Sequence, residues 1–355
     1  MLERTIANPR IIEGVVPAPR AWYGPDVADE AFVVRLTPEV MAELDQVVAE
    51  QNKAPVPTIV LEPKHFQLDA AAQLMVAVKR QLDDGLGFVI LDRLPVERWS
   101  KERLIDVYWL LGSLIEPPVA QEWSGKMVYD VRYDGQGYTA DTRTALTPEG
   151  LDMHNDSSMG EAPANYLSLL CLQTAREGGK SSLSSAYAAH NYFRIEHPEL
   201  LPRLYQPFYR DKQEYQAADV ENWYPIFANE DGNLRIRFNI RPIRRGYEKT
   251  GRVLDNEGAE AVGLLNGFLS DPRHRHDFWM ERGQIQILNN RIVVHGRTPY
   301  VDFDEPKNAG IWFAFGARGR PATVPRLGSV QIFGSASKAR RPAVTGRSSR
   351  QERGR

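Results

Sequence analysis

Two periodicities divide this chain. Up to Gly112 apolar residues recur mostly at helical spacing, whereas from Lys126 onward they alternate or gather in short blocks, which is the pattern of strands. The first sixty residues are rich in proline and read as an extended arm around one helix, with Thr37 as N-cap and Pro38 at the first helical position. Asp69 is expected to cap a second helix running through Leu74, Val78 and Leu82 and stopping at Asp84-Gly85. Gly87 to Leu91 then reads as a buried strand, and a third helix starts at Ser100 and runs through Leu104, Val107 and Leu111 to Gly112.

Strands are expected at Met127 to Tyr133, Tyr166 to Gln173, Trp223 to Ala228, Leu234 to Ile240, Gln284 to Leu288 and Ile311 to Phe315. Asp231-Gly232 is a hairpin signal between two of them. Helices interrupt at Ala186 to Ile195 and at roughly Asn256 to Leu269, the latter capped by Asp255. Many short strands with hairpin turns predict a mainly β protein, closed or sandwich-like, with its helices packed outside. No interior linker divides it. The expected organisation is an N-terminal arm and helix over 1–68, a catalytic domain over 69–334 and a basic tail over 335–355.

With 355 residues, 42% hydrophobic and 25% charged, the composition is that of an ordinary globular protein. No apolar run approaches the roughly 20 residues of a membrane span, and Met1 to Arg10 lacks the apolar core of a secretory signal. The expectation is a cytoplasmic protein with no membrane partner. The lone Cys171 fits a reducing compartment and reads as a small buried hydrophobe. The net charge of −2 conceals a basic end, Ser337 to Arg355, expected to be disordered; it has no aromatic residues and reads as a solvated terminus rather than a nucleic-acid site.

The chemistry concentrates in two segments. In Leu151-Asp-Met-His-Asn-Asp-Ser157, His154 and Asp156 lie two apart, so on an extended backbone both side chains share a face. An imidazole and a carboxylate so placed are two ligands of a facial triad that a second histidine would complete. His295 is the candidate, delivered by an alternating strand, an Asn289-Asn290 turn and the apolar run Ile292 to Val294. Either histidine alone reads as an ordinary turn residue.

Together these segments resemble the taurine dioxygenase (TauD/TfdA) family of iron(II)/2-oxoglutarate oxygenases, which includes clavaminate-synthase-like enzymes. The resemblance spans roughly Gln73 to Arg320 and is carried also by Gly87-Phe-Val-Ile-Leu91 with Leu94-Pro95, Leu111-Gly112, Gln121 with Gly125, and Gly178-Gly179. It implies a double-stranded β-helix, or jelly roll, of cupin-like form. His154, Asp156 and His295 would hold Fe(II), and Ser181 would contact a 2-oxoglutarate carboxylate. The implied reaction couples O2 and decarboxylation of 2-oxoglutarate to C–H oxidation of a small molecule. Retention of Asp156 argues against halogenation, for which the carboxylate gives way to a small residue.

One expected residue is missing. The family places an arginine about fifteen residues after the distal histidine, where a bidentate pair holds the far carboxylate of 2-oxoglutarate. In this chain that count reaches Gly310, within a strand Asn308 to Phe315 that has no cation. Arg318 would lie ~26 Å further along an extended strand. Lys307 is nearer, on the opposite face unless a bulge intervenes. Arg297 matches a His-x-Arg of relatives and is expected to contact substrate or close the site; Arg235, Arg237 and Arg241 are the remaining cations. Either another cation holds 2-oxoglutarate, or the substrate chelates iron directly and that cosubstrate is not used. An inactive jelly-roll binding protein is a further alternative, and a nucleic-acid demethylase rests only on the tail. The substrate and any homo-oligomer are left open.

Other signals read as structural. Arg273-His-Arg-His-Asp277 is expected to be a solvated turn rather than a zinc site, and His65, His190 and His197 have no partner at metal spacing. Trp123, Tyr129, Tyr133 and Tyr138 are candidates for a substrate wall, and Tyr209 to Trp223, with Tyr215 and Glu221, for a substrate loop.

Overall fold

The strand Tyr166–Gln173 is apolar at most positions because both of its faces are covered. Leu167 and Cys171 enter one core, while Tyr166, Leu170 and Leu172 enter another on the opposite side. This computed structural model describes residues 5–120, 125–131, 148–160, 163–212, 222–303 and 311–317, with 311–317 and Tyr129 described by backbone alone. Met1–Arg320 groups into one compact unit. The candidates Trp123, Tyr133, Tyr138, Tyr215, Glu221, Lys307, Gly310 and Arg318 lie outside the described residues, as does the basic tail.

Two sheets are built from strands β1 (Val33–Arg35), β2 (Phe88–Asp92), β3 (Pro118–Val119), β4 (Tyr129–Val131), β5 (Leu151–His154), β6 (Tyr166–Gln173), β7 (Ser181–Ser185), β8 (His276–Phe278), β9 (Ile285–Asn289), β10 (Val293–Arg297) and β11 (Ile311–Ala317). The larger has the order β1-β2-β9-β6-β11-β3, with β4 also on β11; the smaller has the order β8-β7-β10-β5. Only β1 and β2 run parallel among these pairs. From β4 onward the chain crosses repeatedly from one sheet to the other, β7 to β8 being the one step that stays in the same sheet.

Three helices, α1 (Pro38–Lys53), α2 (Asp69–Asp84) and α3 (Lys101–Ser113), cover the outer face of the larger sheet. Their Leu44, Met75, Val78 and Val107 pack with Val89, Leu91, Leu170 and Ile287. On the inner face Phe88, Ile90, Leu167 and Leu288 join Met153, Leu183 and Val293 of the smaller sheet. Alternation along β2 therefore assigns Phe88 and Ile90 to one core and Val89 and Leu91 to the other, and a slip of one residue would exchange them. The helices α4 (Ala186–Glu196), α5 (Ile240–Thr250) and α6 (Asn256–Ser270) complete the unit around the inner core, to which Phe193, Ile243 and Leu265 contribute.

The helix starts at Pro38, Ser100 and Asp255 fall where expected: Thr37, Ser100 and Asp255 each accept a backbone N–H of the first turn. Asp69 does not cap α2. It is the first helical residue, and the carboxylate of Glu43 on α1 accepts the N–H groups of Ala70 and Ala71 at 2.8 and 2.9 Å. A tertiary carboxylate thus replaces the local one. The hairpin at Asp231-Gly232 is present, with positive φ of 53° and 85° at its two turn residues. The strand expected over Leu234 to Ile240 ends at Ile236, because Asn239 accepts the N–H of Arg241 and starts α5. His276 and Asp277, expected in a solvated turn over Arg273 to Asp277, belong instead to a strand His276–Phe278 that pairs with Ser181–Leu183. Among the described residues helices hold more than strands do, so the structure is mixed helix and sheet rather than mainly β. Among the described residues no helix is long and apolar enough to cross a membrane.

Asp255 caps α6 and pairs with Arg203, whose side chain is only 3% exposed. Burial works to raise the Asp255 pKa, but hydrogen bonds from Arg203 and from the Gly258 N–H outweigh it, so the carboxyl titrates below its ordinary value. Its stabilisation is therefore present above about pH 4 and is lost as pH falls through the depressed folded value. Asp255→Asn retains a capping side chain and removes the charge. We expect a loss of about 2–3 kcal/mol in urea unfolding at neutral pH and a shallower acid limb of the stability curve; an unchanged midpoint would contradict this role.

Candidate metal centre

The antiparallel pairing of β5 with β10 sets His154 directly opposite His295. Their ring centroids lie 4.3 Å apart. Register then shifts: Arg297 faces Leu151, so Asp152 and Met153 of β5 oppose the single Gly296 of β10, a β-bulge beside the histidines. Gly296 makes the bulge possible, since a Cβ there would meet the Leu151 carbonyl oxygen and the Met153 sulfur at 2.8 Å. Within the bulge the Asp152 carbonyl lies 2.8 Å from His154 Nδ1. A carbonyl only accepts, so Nδ1 carries the proton and Nε2 offers its lone pair. Arg241 Nε holds the Asp152 carboxylate at 2.9 Å.

Strand β5 ends at His154, and Asp156 lies just beyond it in a turn. Its carboxylate is brought back by two side chains that each clasp the backbone of the other's segment. Asn155 Nδ2 donates to the carbonyls of Asn290 and Val293 at 2.7 and 2.9 Å, while its Oδ1 accepts the Phe238 N–H at 3.0 Å. In return Asn290 Oδ1 accepts the Asp156 N–H at 3.0 Å, and Asn290 Nδ2 donates to the Asp156 and Ala164 carbonyls at 3.1 and 3.0 Å. Both asparagines are 2% exposed. Asn290 thereby pairs with Asp156 as a neighbouring strand would.

Asp156 Oδ1 lies 3.3 Å from His154 Nε2 and 3.8 Å from His295 Nε2. The three ligand atoms fall within 4.8 Å of one another, and no other such group occurs among the described residues. Two ligands at right angles around a first-row ion with bonds of ~2.1 Å are separated by ~3 Å, so a small inward adjustment meets that geometry. The set of two neutral imidazoles and a carboxylate is the facial triad suited to iron(II), with positions left for other ligands. His295 Nδ1 is buried without a hydrogen-bond partner, which leaves its ring orientation to packing and to whatever Nε2 binds.

Burial pushes His295 down to about 4, helped by the neighbouring His154, so the ring is neutral at neutral pH. Burial opposes ionisation of Asp156, but the His154 hydrogen bond and both imidazoles prevail and bring it to about 2. Burial also disfavours charge on His154, yet Asp156 holds its pKa above the ordinary value. A metal ion bound here would displace any proton on His154 Nε2.

The triad opens on a cavity of about 100 Å³ between the two sheets. Leu167, Leu288 and Gln286 line it from the larger sheet; Ser181 and Arg297 line it beside the ligands. Gln286 is 2% exposed and its Oε1 has no hydrogen-bond partner. This residue was not anticipated, although a lone polar side chain at an inward position of Ile285-Gln-Ile-Leu288 is a legible signal. Burial lowers the Arg297 guanidinium below its ordinary value. Of the other cations, Arg235 pairs with Glu230, Arg241 with Asp152, and Arg237 donates to the Gly160 carbonyl over the Tyr224 ring. None of the three lines the cavity.

The remaining histidines are structural. His190 is fully buried against the Tyr205 hydroxyl at 3.0 Å, His274 stacks on Phe268, and His276 bonds the Gly24 carbonyl. Cys171 is buried and its thiol is pushed up to about 12 by desolvation.

A pair of sheets enclosing a His-x-Asp…His cluster defines the class of protein, and comparison with known proteins agrees. The model of the family "Taurine catabolism dioxygenase TauD, TfdA family" matches residues 51–312. FR-33289 synthase of Streptomyces rubellomurinus is 26% identical over 301 residues, 83% of this chain and 87% of that one. Among solved structures, asparagine oxygenase in complex with Fe(II), 3-hydroxyasparagine and succinate superposes with a TM-score of 0.60 at 15% identity, covering 81% of this chain and 93% of that one. The non-haem iron oxygenase OrfP in complex with Fe and alpha-ketoglutaric acid gives 0.58 at 14%, with coverage of 81% and 93%. The chain belongs to the TauD/TfdA family. It is a non-haem iron(II)- and 2-oxoglutarate-dependent oxygenase that uses O2.

Asn290→Ala removes three hydrogen bonds to buried backbone groups and the support of Asp156. We expect a loss of about 2–3 kcal/mol in unfolding free energy and iron affinity about 10- to 100-fold weaker. Iron titration of the folded variant checks the second effect, and unaltered affinity would refute the positioning role.

Proposed function

We propose that His154, Asp156 and His295 hold the iron, that Ser181 contacts 2-oxoglutarate, and that the enzyme oxidises a C–H bond of a small molecule. The observation that carries this reading is the cross-strand pairing of His154 with His295, with the Asp156 carboxylate closing the triangle at the mouth of the cavity. The crossing of the chain between two sheets supports a double-stranded β-helix as the architecture, with 1–68 as flanking arm and helix and 69–334 as the oxygenase domain. A cytoplasmic location is in keeping with the single buried Cys171.

When bound, iron(II) with 2-oxoglutarate and O2 supplies the oxidising chemistry, giving succinate, carbon dioxide and an oxidised substrate. The residues of this chain prepare the place for it. Nε2 of His154 faces the centre because Asp152 fixes its tautomer. The depressed pKa values of Asp156 and His295 keep both in their ligating forms at neutral pH. Leu167, Leu169 and Leu288 make an apolar wall that limits water at the reacting carbon. Solved neighbours named for asparagine and crystallised with hydroxy-arginine support a substrate of amino-acid size.

His154→Ala and Asp156→Ala are each expected to reduce iron content from stoichiometric to background with the fold retained, as read by metal analysis and circular dichroism. Undiminished iron in either folded variant would remove that residue from the centre. Anaerobic wild-type enzyme with iron(II) and 2-oxoglutarate should develop the weak visible charge-transfer band of the chelate.

A further inference from the structure

Arg297 and Ser181 are register partners across β10 and β7, so their side chains leave the same face side by side. His295 lies two residues before Arg297 on that strand, about 6.6 Å away at the rise of an extended chain, and shares the face. All three line the cavity, where Arg297 is, histidines aside, the one cation among the described lining residues. Its guanidinium is steadied at the cavity edge: Nη2 donates to the Glu149 carbonyl at 3.0 Å, and the group lies 4.4 Å from the centre of the Tyr300 ring. The following strand, Ile311–Ala317, contains neither lysine nor arginine.

We infer that Arg297, together with Ser181, holds the far carboxylate of 2-oxoglutarate, so that the strand supplying the distal iron ligand supplies the anchor as well. The inference rests on the reading that 2-oxoglutarate is the cosubstrate of this centre. A guanidinium beside a hydroxyl offers two charge-assisted donors to one carboxylate, in a pocket whose facing wall is Leu167, Leu288 and the uncharged Gln286. Arg235 and Arg241 pair with Glu230 and Asp152, Arg237 donates to the Gly160 carbonyl, and none of the three lines the cavity, which leaves Lys307 as the rival to be tested.

The test is an anaerobic titration of the full-length iron(II) enzyme with 2-oxoglutarate, following the charge-transfer band. Arg297→Gln is expected to raise the Kd at least about tenfold, Arg297→Lys to restore part of the loss, and Lys307→Ala to leave it unchanged. The ligand 2-oxobutyrate, which lacks the far carboxylate, should bind the wild type as weakly as 2-oxoglutarate binds Arg297→Gln, and should lose nothing further in that variant. An unchanged Kd in folded, iron-loaded Arg297→Gln overturns the assignment, as does a loss confined to Lys307→Ala. If Arg297→Gln does not fold, Ser181→Ala and the wild-type comparison of the two keto acids decide: equal affinities in the wild type overturn the anchor. Absence of any band in the wild type with iron bound would instead remove the cosubstrate reading itself.

Discussion

The reciprocal clasp of Asn155 and Asn290 is the interaction on which this centre depends. Each amide satisfies backbone groups belonging to the other's segment, and between them they join the turn after β5 to the turn before β10. These turns carry Asp156 and lead to His295. In a protein interior an amide left unpaired is costly, so the two segments hold one relative position. The candidate ligands inherit that rigidity, although Asp156 itself lies outside any strand and its side chain is 42% exposed.

Around the clasp the fold divides its labour between two cores. The helices α1, α2 and α3 seal the outer face of the larger sheet with a mainly apolar contact, edged by bonds from Tyr166 and Asn289 to polar groups of α2. The inner core has to accommodate the cavity, and there the packing is interrupted by Gln286, Ser181 and Arg297. The inner wall is left free to present polar groups, each at some cost in packing.

Much of this was legible from residue pattern. Thr37, Ser100 and Asp255 mark helix starts because their capping bonds are local, and Tyr166–Gln173 declares itself by its unbroken apolar run. His154 and Asp156 could be paired by spacing, and His295 stood out as the histidine delivered by a strand, an Asn-Asn turn and an apolar run, with family resemblance joining the three. What escaped depends on distant partners. Glu43 caps α2 from another helix, so Asp69 was misassigned. Asn155 and Asn290 look like ordinary turn residues until the turns are seen to face each other. The strand His276–Phe278 is polar and short, and only its pairing with β7 makes it a strand. The helix Ile240–Thr250 was not anticipated because it follows a β-like run.

The opposition of His154 and His295 has one more consequence. Because side chains alternate along a strand, a slip of β10 by a single residue would present Val294 to the site and turn His295 away. A mispaired chain would therefore retain at most two ligands and lose its hold on iron. With the ligands proposed above, metal occupancy would therefore report on strand register, and a molecule that closed its smaller sheet incorrectly would be inactive.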